Sequence, residues 1–298
     1  MRLGGEPESS NFEDRTGQGG GFGFGGGGGN ALGCLLPLVM SRFGIVGVII
    51  LLLGYCVLTQ LGGGGGGLVP GGPTTTAPTS QSAGQSRLPP QTKEFLTRVL
   101  GSTEQTWGEL FAKSGQRYVP TTMVAYTSGT QSGCGAAQAA MGPFYCPDDK
   151  KIYIDPSFFN ELSQRFGAPG DFAQAYVVAH EVGHHVQDLE GTLDQAHNLQ
   201  ARASETEGNA IQVKVELQAD CYAGVWAANA RDAQGSIMEQ GDLEEGMRAA
   251  EAIGDDTLQK QSQGVVVPES FTHGTSAQRM NALRTGYQSG NPAACKSL

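Results

Sequence analysis

Two histidines four residues apart flank a glutamate in the run His180-Glu181-Val182-Gly183-His184. On a helix, residues four apart share a face. Both imidazoles can then reach one zinc ion, and Glu181 beside them can hold and deprotonate a water on that ion. The chemistry so encoded is metal-assisted hydrolysis. The chain has only five histidines, so two of them at ligand spacing carry weight. The surrounding residues read as a helix from about Asp171 to Glu190, free of proline, with Asp171 in the N-cap position. Phe172, Tyr176, Val178, Val182 and Val186 recur at mixed three- and four-residue steps, the pattern of a helix buried on most sides. Gly183 is a poor helix former, which suggests that another backbone approaches there. A pair of ordinary helix histidines is the competing reading.

Catalytic zinc keeps three protein ligands and one open position. Glu216 is the candidate for the third. It stands in a second proline-free helical pattern, roughly Glu205 to Ala230, with Asp220 four residues on and therefore on the same face. Asp220 is placed to accept the second N–H of a ligating histidine. Leu217, Ala219 and Ala223 argue against a solvated acidic face. A carboxylate pair on the buried side of a helix is costly unless a cation meets it. His273 precedes a helix start with Thr275 or Ser276 as cap, and it can donate to the oxyanion of a tetrahedral intermediate. Arg279 can do the same or pair with Glu181 or Asp220. His185 points about 100° away from His184 and reads as a packing residue. His197 lies in a polar stretch with no partner at ligand spacing.

These residues, with Ser10-Asn-Phe-Glu-Asp-Arg15, Ser132-Gly-Cys-Gly135, Gly142-Pro-Phe-Tyr-Cys-Pro147, the run from Glu216 to Gly224 and Phe271-Thr-His-Gly-Thr-Ser276, resemble the bacterial "putative neutral zinc metallopeptidase" family of membrane-anchored proteins. The resembling stretches span nearly the whole chain. The Glu216/Asp220 arrangement and the later histidine are also similar to gluzincin peptidases. That resemblance implies one zinc ion held by His180, His184 and Glu216, Asp220 supporting a ligand, Glu181 as general base and His273 as transition-state donor.

Composition divides the chain. Residues 1–42 begin polar and become glycine-rich, which predicts a disordered tail. Residues 43–61 are uncharged and long enough to cross a hydrocarbon core as one transmembrane helix. Residues 62–90 read as a Gly/Thr/Pro/Ser stalk, and 91–298 as one domain with a core of its own. Arg2, Arg15 and Arg42 precede the apolar stretch, and no Lys or Arg follows until after Ser86. The positive-inside rule then predicts a cytoplasmic N-terminus and a domain outside the cytoplasm, in the periplasm or at the cell exterior. Three of the 19 basic and four of the 29 acidic residues precede residue 87, which leaves the domain a net charge of about −9. Nothing in that balance suggests a nucleic-acid partner.

Beyond the apolar stretch stand Cys134, Cys146, Cys221 and Cys295. An even set outside the cytoplasm reads as two disulfides. The sequence does not choose among the three pairings; Cys134–Cys146 with Cys221–Cys295 is preferred because the first closes a short loop-and-hairpin segment. Helices are expected over 92–113, 156–166 and 242–253, then 255–262 and 276–287. Asp155 is expected to cap the second, and Asp242 with Glu245 to form a capping box on the third. A strand is expected over 122–127 and a hairpin over 144–155. The fold class is α+β: a zincin-like domain, mainly helical with a small β-sheet. A strand at 122–127 or 151–154 is the expected dock for an extended peptide. The expected activity is a membrane-tethered, zinc-dependent endopeptidase acting on a peptide or protein substrate. A catalytically inactive zincin-fold scaffold is the alternative.

Overall fold

The computed structural model describes residues 1–18 and 86–297. The expected transmembrane stretch at 43–61 and nearly all of the stalk lie outside these residues. Among the described residues, no helix is long and apolar enough to cross a membrane.

The fold is a mixed one, mainly helical with a small sheet. Strand β1 (Phe12–Asp14) is followed by helix α1 (Pro90–Lys113), then β2 (Thr122–Ala125), β3 (Gly129–Ser132), β4 (Gly135–Gln138), β5 (Phe144–Cys146) and β6 (Lys151–Ile154). Next come α2 (Phe158–Gln164), α3 (Asp171–Leu189), α4 (Thr192–Gln200) and α5 (Glu205–Asn229). A short hairpin of β7 (Arg231–Asp232) and β8 (Gly235–Ser236) precedes α6 (Asp242–Ala252), α7 (Asp255–Gln263) and α8 (Ser276–Ser289). The main sheet has the order β1-β2-β6-β5, with β1, β2 and β6 parallel and β5 antiparallel to β6. β5 and β6 form the expected hairpin, with Phe144 opposite Tyr153.

The two strands expected to be open to a peptide, β2 and β6, are interior. Each is hydrogen-bonded on both sides. The outer strands are β1 and β5. A second correction concerns the tail: residues 1–18 are ordered and supply the edge strand β1. Periodicity does not reveal this strand, because three residues with one apolar side chain, Phe12, carry no hydrophobic alternation.

Three capping expectations also fail, for local reasons. Asp171 is the first helical residue, not the cap. Gly170 occupies the cap position at φ 127°, and the Glu245 carboxylate accepts the Phe172 N–H at 3.1 Å. With Glu245 so engaged, no capping box forms on α6; Asp242 instead accepts the Glu239 N–H at 2.7 Å. Asp155 accepts the N–H groups of Ser128 and Ser157, and α2 starts only at Phe158. The N-terminal N–H groups of a helix can be met by any nearby oxygen. Here the oxygen for α3 comes from a residue more than seventy positions away.

The core lies where α3, α5 and α8 pack together against α1 and the sheet. Phe172 of α3 stacks on Trp226 of α5 with ring centroids 6.0 Å apart, and Tyr222 meets Trp107 of α1 edge-on at 5.2 Å. Gly183 permits the tight crossing of α3 and α5. A Cβ there would come within 2.9 Å of the Ala219 carbonyl oxygen. The glycine inside the histidine motif thus brings the helix bearing Glu216 and Asp220 against the helix bearing the histidines.

Both expected disulfides are present. Cys134, in the turn between β3 and β4, joins Cys146 at the end of β5; Cys221 of α5 joins Cys295.

Candidate metal centre

The crossing of α3 and α5 places three ligand atoms together. His180 Nε2 lies 3.1 Å from Glu216 Oε2 and 3.2 Å from His184 Nε2. His184 Nε2 lies 3.5 Å from the same Glu216 oxygen. Zinc–nitrogen bonds of about 2.0–2.1 Å in a tetrahedron set ligand atoms about 3.3 Å apart, so these separations fit one zinc ion.

The outer partners of the ligands reinforce that fit. His180 Nδ1 meets Asp220 Oδ1 at 2.8 Å, and His184 Nδ1 meets Gln187 Oε1 at 2.9 Å. Each Nδ1–H therefore donates outward, and both Nε2 atoms face the Glu216 carboxylate. A proton and a zinc ion are rival partners for these nitrogens, and a buried carboxylate facing them calls for positive charge. Burial alone would depress protonation of His180, but Asp220 outweighs it and raises the ring to about 10. Burial likewise opposes ionisation of Glu216, but His184 and His180 hold its carboxyl well below the usual range.

Asp220 is itself held. Arg279 of α8 donates from Nε and Nη2 to its two oxygens, both at 2.9 Å, and Tyr176 donates to it at 2.5 Å. Burial opposes charge on Asp220, yet Arg279 and then His180 bring its carboxyl to about 2. Of the partners considered for Arg279, the structure selects Asp220. Gln187 and Tyr176 were missed in the sequence. Gln187 stands three residues after His184, so helical spacing offered a signal for it.

Glu181 is buried, lines the cleft, and forms no hydrogen bond with another described side chain. Burial raises its carboxyl above the usual range. The cleft has a volume of about 600 Å³, and His180, Glu181, His184, Glu216 and His273 all line it. His273 is half exposed. Its loop is fixed by Asp255, whose Oδ2 accepts the N–H groups of Thr272, His273 and Gly274 at 2.8, 2.6 and 3.0 Å. Thr275 caps the following helix in a capping box with Gln278, as its position suggested.

The other two histidines stay out of the cluster. His185 is buried and bonds Tyr145 Oη at 3.1 Å and the Val119 carbonyl at 2.7 Å, tying α3 to β5 and to the loop before β2. His197 is exposed on α4. A second group of carboxylates, Asp171, Asp242 and Glu245, is already engaged. Asp171 and Asp242 hold the Met1 ammonium at 2.8 and 3.1 Å, and Glu245 caps α3.

The geometry now has a counterpart among known sequences. The whole chain, residues 1–298, matches the family described as "putative neutral zinc metallopeptidase". The chain belongs to that family. It is 44% identical over 302 residues to the uncharacterized protein YpfJ of Escherichia coli K12, covering 100% of this chain and 99% of the relative. The uncharacterized protein Rv2575 of Mycobacterium tuberculosis is 42% identical over 190 residues, 61% of this chain and 63% of the relative. No solved structure matches the chain.

Proposed function

We propose that this family member is a zinc-dependent endopeptidase. The observation that carries the reading is the convergence of His180 Nε2, His184 Nε2 and Glu216 Oε2 within 3.5 Å of one another, beside the buried carboxylate of Glu181, which bonds no other described side chain. Zinc bound there supplies a Lewis acid that polarises the scissile carbonyl and lowers the pKa of a water. Glu181 accepts the proton of that water and returns it to the leaving amine. His273, across the cleft, donates a hydrogen bond to the oxyanion. Asp220 and Gln187 keep both ligating rings in one tautomer and orientation.

The peptide is held by β5. This strand is one of the two outer strands of the sheet, and Phe144 and Tyr145 line the cleft. An extended substrate adds to its outer edge by main-chain hydrogen bonds. Two disulfides suit an oxidising, extracytoplasmic compartment, and the uncharged stretch at 43–61 suits attachment to a membrane.

The test is purified protein incubated with an unfolded protein, with and without a chelator. Cleavage that is abolished by the chelator, restored by zinc and absent in Glu181→Gln is expected. Stoichiometric zinc without cleavage, and no difference between wild type and Glu181→Gln, would overturn the reading in favour of an inactive scaffold.

A further inference from the structure

The motif Ser10-Asn-Phe-Glu-Asp-Arg15 has no part in the metal centre, yet it is built into the domain. β1 pairs in parallel with β2, Phe12 opposite Met123 and Asp14 opposite Ala125. The Met123 N–H donates to the Asn11 carbonyl at 2.9 Å, and the Arg15 N–H to the Ala125 carbonyl at 2.8 Å. Upstream, the Ser9 N–H donates to the Thr97 carbonyl, and Ser9 Oγ and Asn11 Nδ2 both reach Glu104 Oε1, at 2.6 and 2.8 Å. Gly101 of α1 makes room for this segment. A Cβ there would lie 2.1 Å from the Pro7 carbonyl oxygen. Glu6 and Thr16 are each 3% exposed.

The places where the chain leaves and rejoins the domain are stitched together. Thr16 Oγ1 accepts the Arg87 N–H at 3.0 Å, and Asp14 accepts the Ser86 hydroxyl. Residues 14–16 and 86–87 are therefore held at one spot. A single membrane crossing between them would put β1 and β2 on opposite sides of the bilayer, which their hydrogen-bonded ladder forbids.

The charges that favoured a cytoplasmic N-terminus are also accounted for. Arg2 donates to Gln234 Oε1 and to the Ser236 carbonyl, both at 2.6 Å. Arg15 pairs with Glu13 and donates to the Gln131 carbonyl. Two of the three arginines counted for orientation are thus partners of the folded domain.

We infer that residues 1–18 and the metal domain lie on the same side of the membrane. The N-terminus is not left behind in the cytoplasm when the domain is outside it.

The experiment uses the full chain with Cys34 and Cys56 replaced by serine. One exposed cysteine is added at a time, Ser10→Cys or Lys113→Cys, and intact cells with a permeabilised outer layer are treated with a membrane-impermeant maleimide. Both positions are expected to label. If both are protected until lysis, the shared side stands and the extracytoplasmic compartment falls. Labelling of one position with protection of the other overturns the inference. The outcome does not depend on peptidase activity, so it stands or falls separately from the proposed function. As a second measurement, Gly101→Leu is expected to lower the Tm of the full chain by about 5 °C or more with zinc content unchanged. An unchanged Tm would mean that the N-terminal segment does not lie against α1.

Discussion

The two halves of the cleft are built differently. On one side, the candidate ligands stand on two long helices and each has an outer partner: buried Asp220 behind His180, buried Gln187 behind His184, and half-buried Gln212 donating to Glu216 Oε1 at 2.9 Å. On the other side, His273 sits half exposed on a loop that one carboxylate, Asp255, holds through three N–H groups. Such a site divides its work between rigid and accessible elements. Metal affinity requires donor atoms fixed to a few tenths of an ångström, which packed helices supply. A group that acts only as charge develops on the substrate can sit on a loop that the substrate still reaches.

The largest effect is expected at Glu181, where Glu181→Gln should lower kcat by about 10²–10⁴-fold while zinc content, measured by elemental analysis, stays at one ion. Asp220→Ala should act on the metal and on the fold together. Zinc affinity, measured by competition with a chelator, should fall about 10–100-fold. Stability in urea should drop by about 3–5 kcal/mol, because Arg279 is left buried without its counter-charge. His273→Ala should cost about 10²–10³-fold in kcat with zinc affinity untouched. Lost zinc in that variant would show the two halves to be one unit.

Asp255→Asn should act in the same direction as His273→Ala and more weakly, and its effect on stability should depend on pH. Burial raises the Asp255 carboxyl, but the bonds from His273 and Thr272 outweigh it and hold the folded-state pKa below the usual value of 3.8. A depressed carboxyl stabilises the fold above the unfolded-state pKa and loses that contribution as pH falls through the folded-state value. The stability gap between wild type and Asp255→Asn should therefore be constant near neutrality and close only below about pH 3.8. A gap that closed near neutrality would assign it to another group.

What was legible in the sequence followed from periodicity. His180 with His184 and Glu216 with Asp220 share faces because a helix repeats every 3.6 residues. The β5–β6 hairpin and the α8 cap are likewise set within a few residues. The β3–β4 hairpin was not legible; its residues Gly129–Ser132 and Gly135–Gln138 are small and polar and carry no strand pattern. Nor was the cap of α3, which Glu245 supplies from a distant helix. The open strand was misplaced because the edge of a sheet is a property of strand order, and only the pairing of β1 with β2 and of β5 with β6 decides it.

Residue type and local spacing were enough to single out His180, Glu181, His184, Glu216 and Asp220 as candidates, to find the four cysteines, and to set the α+β class. Only the tertiary structure decided that Arg279 serves Asp220, that β5 is the strand beside the cleft, and that residues 1–18 belong to the same folded unit as the metal centre. Those are contacts between segments far apart in the chain, and their free energy comes from burial and hydrogen bonds that exist only once the helices and sheet have packed.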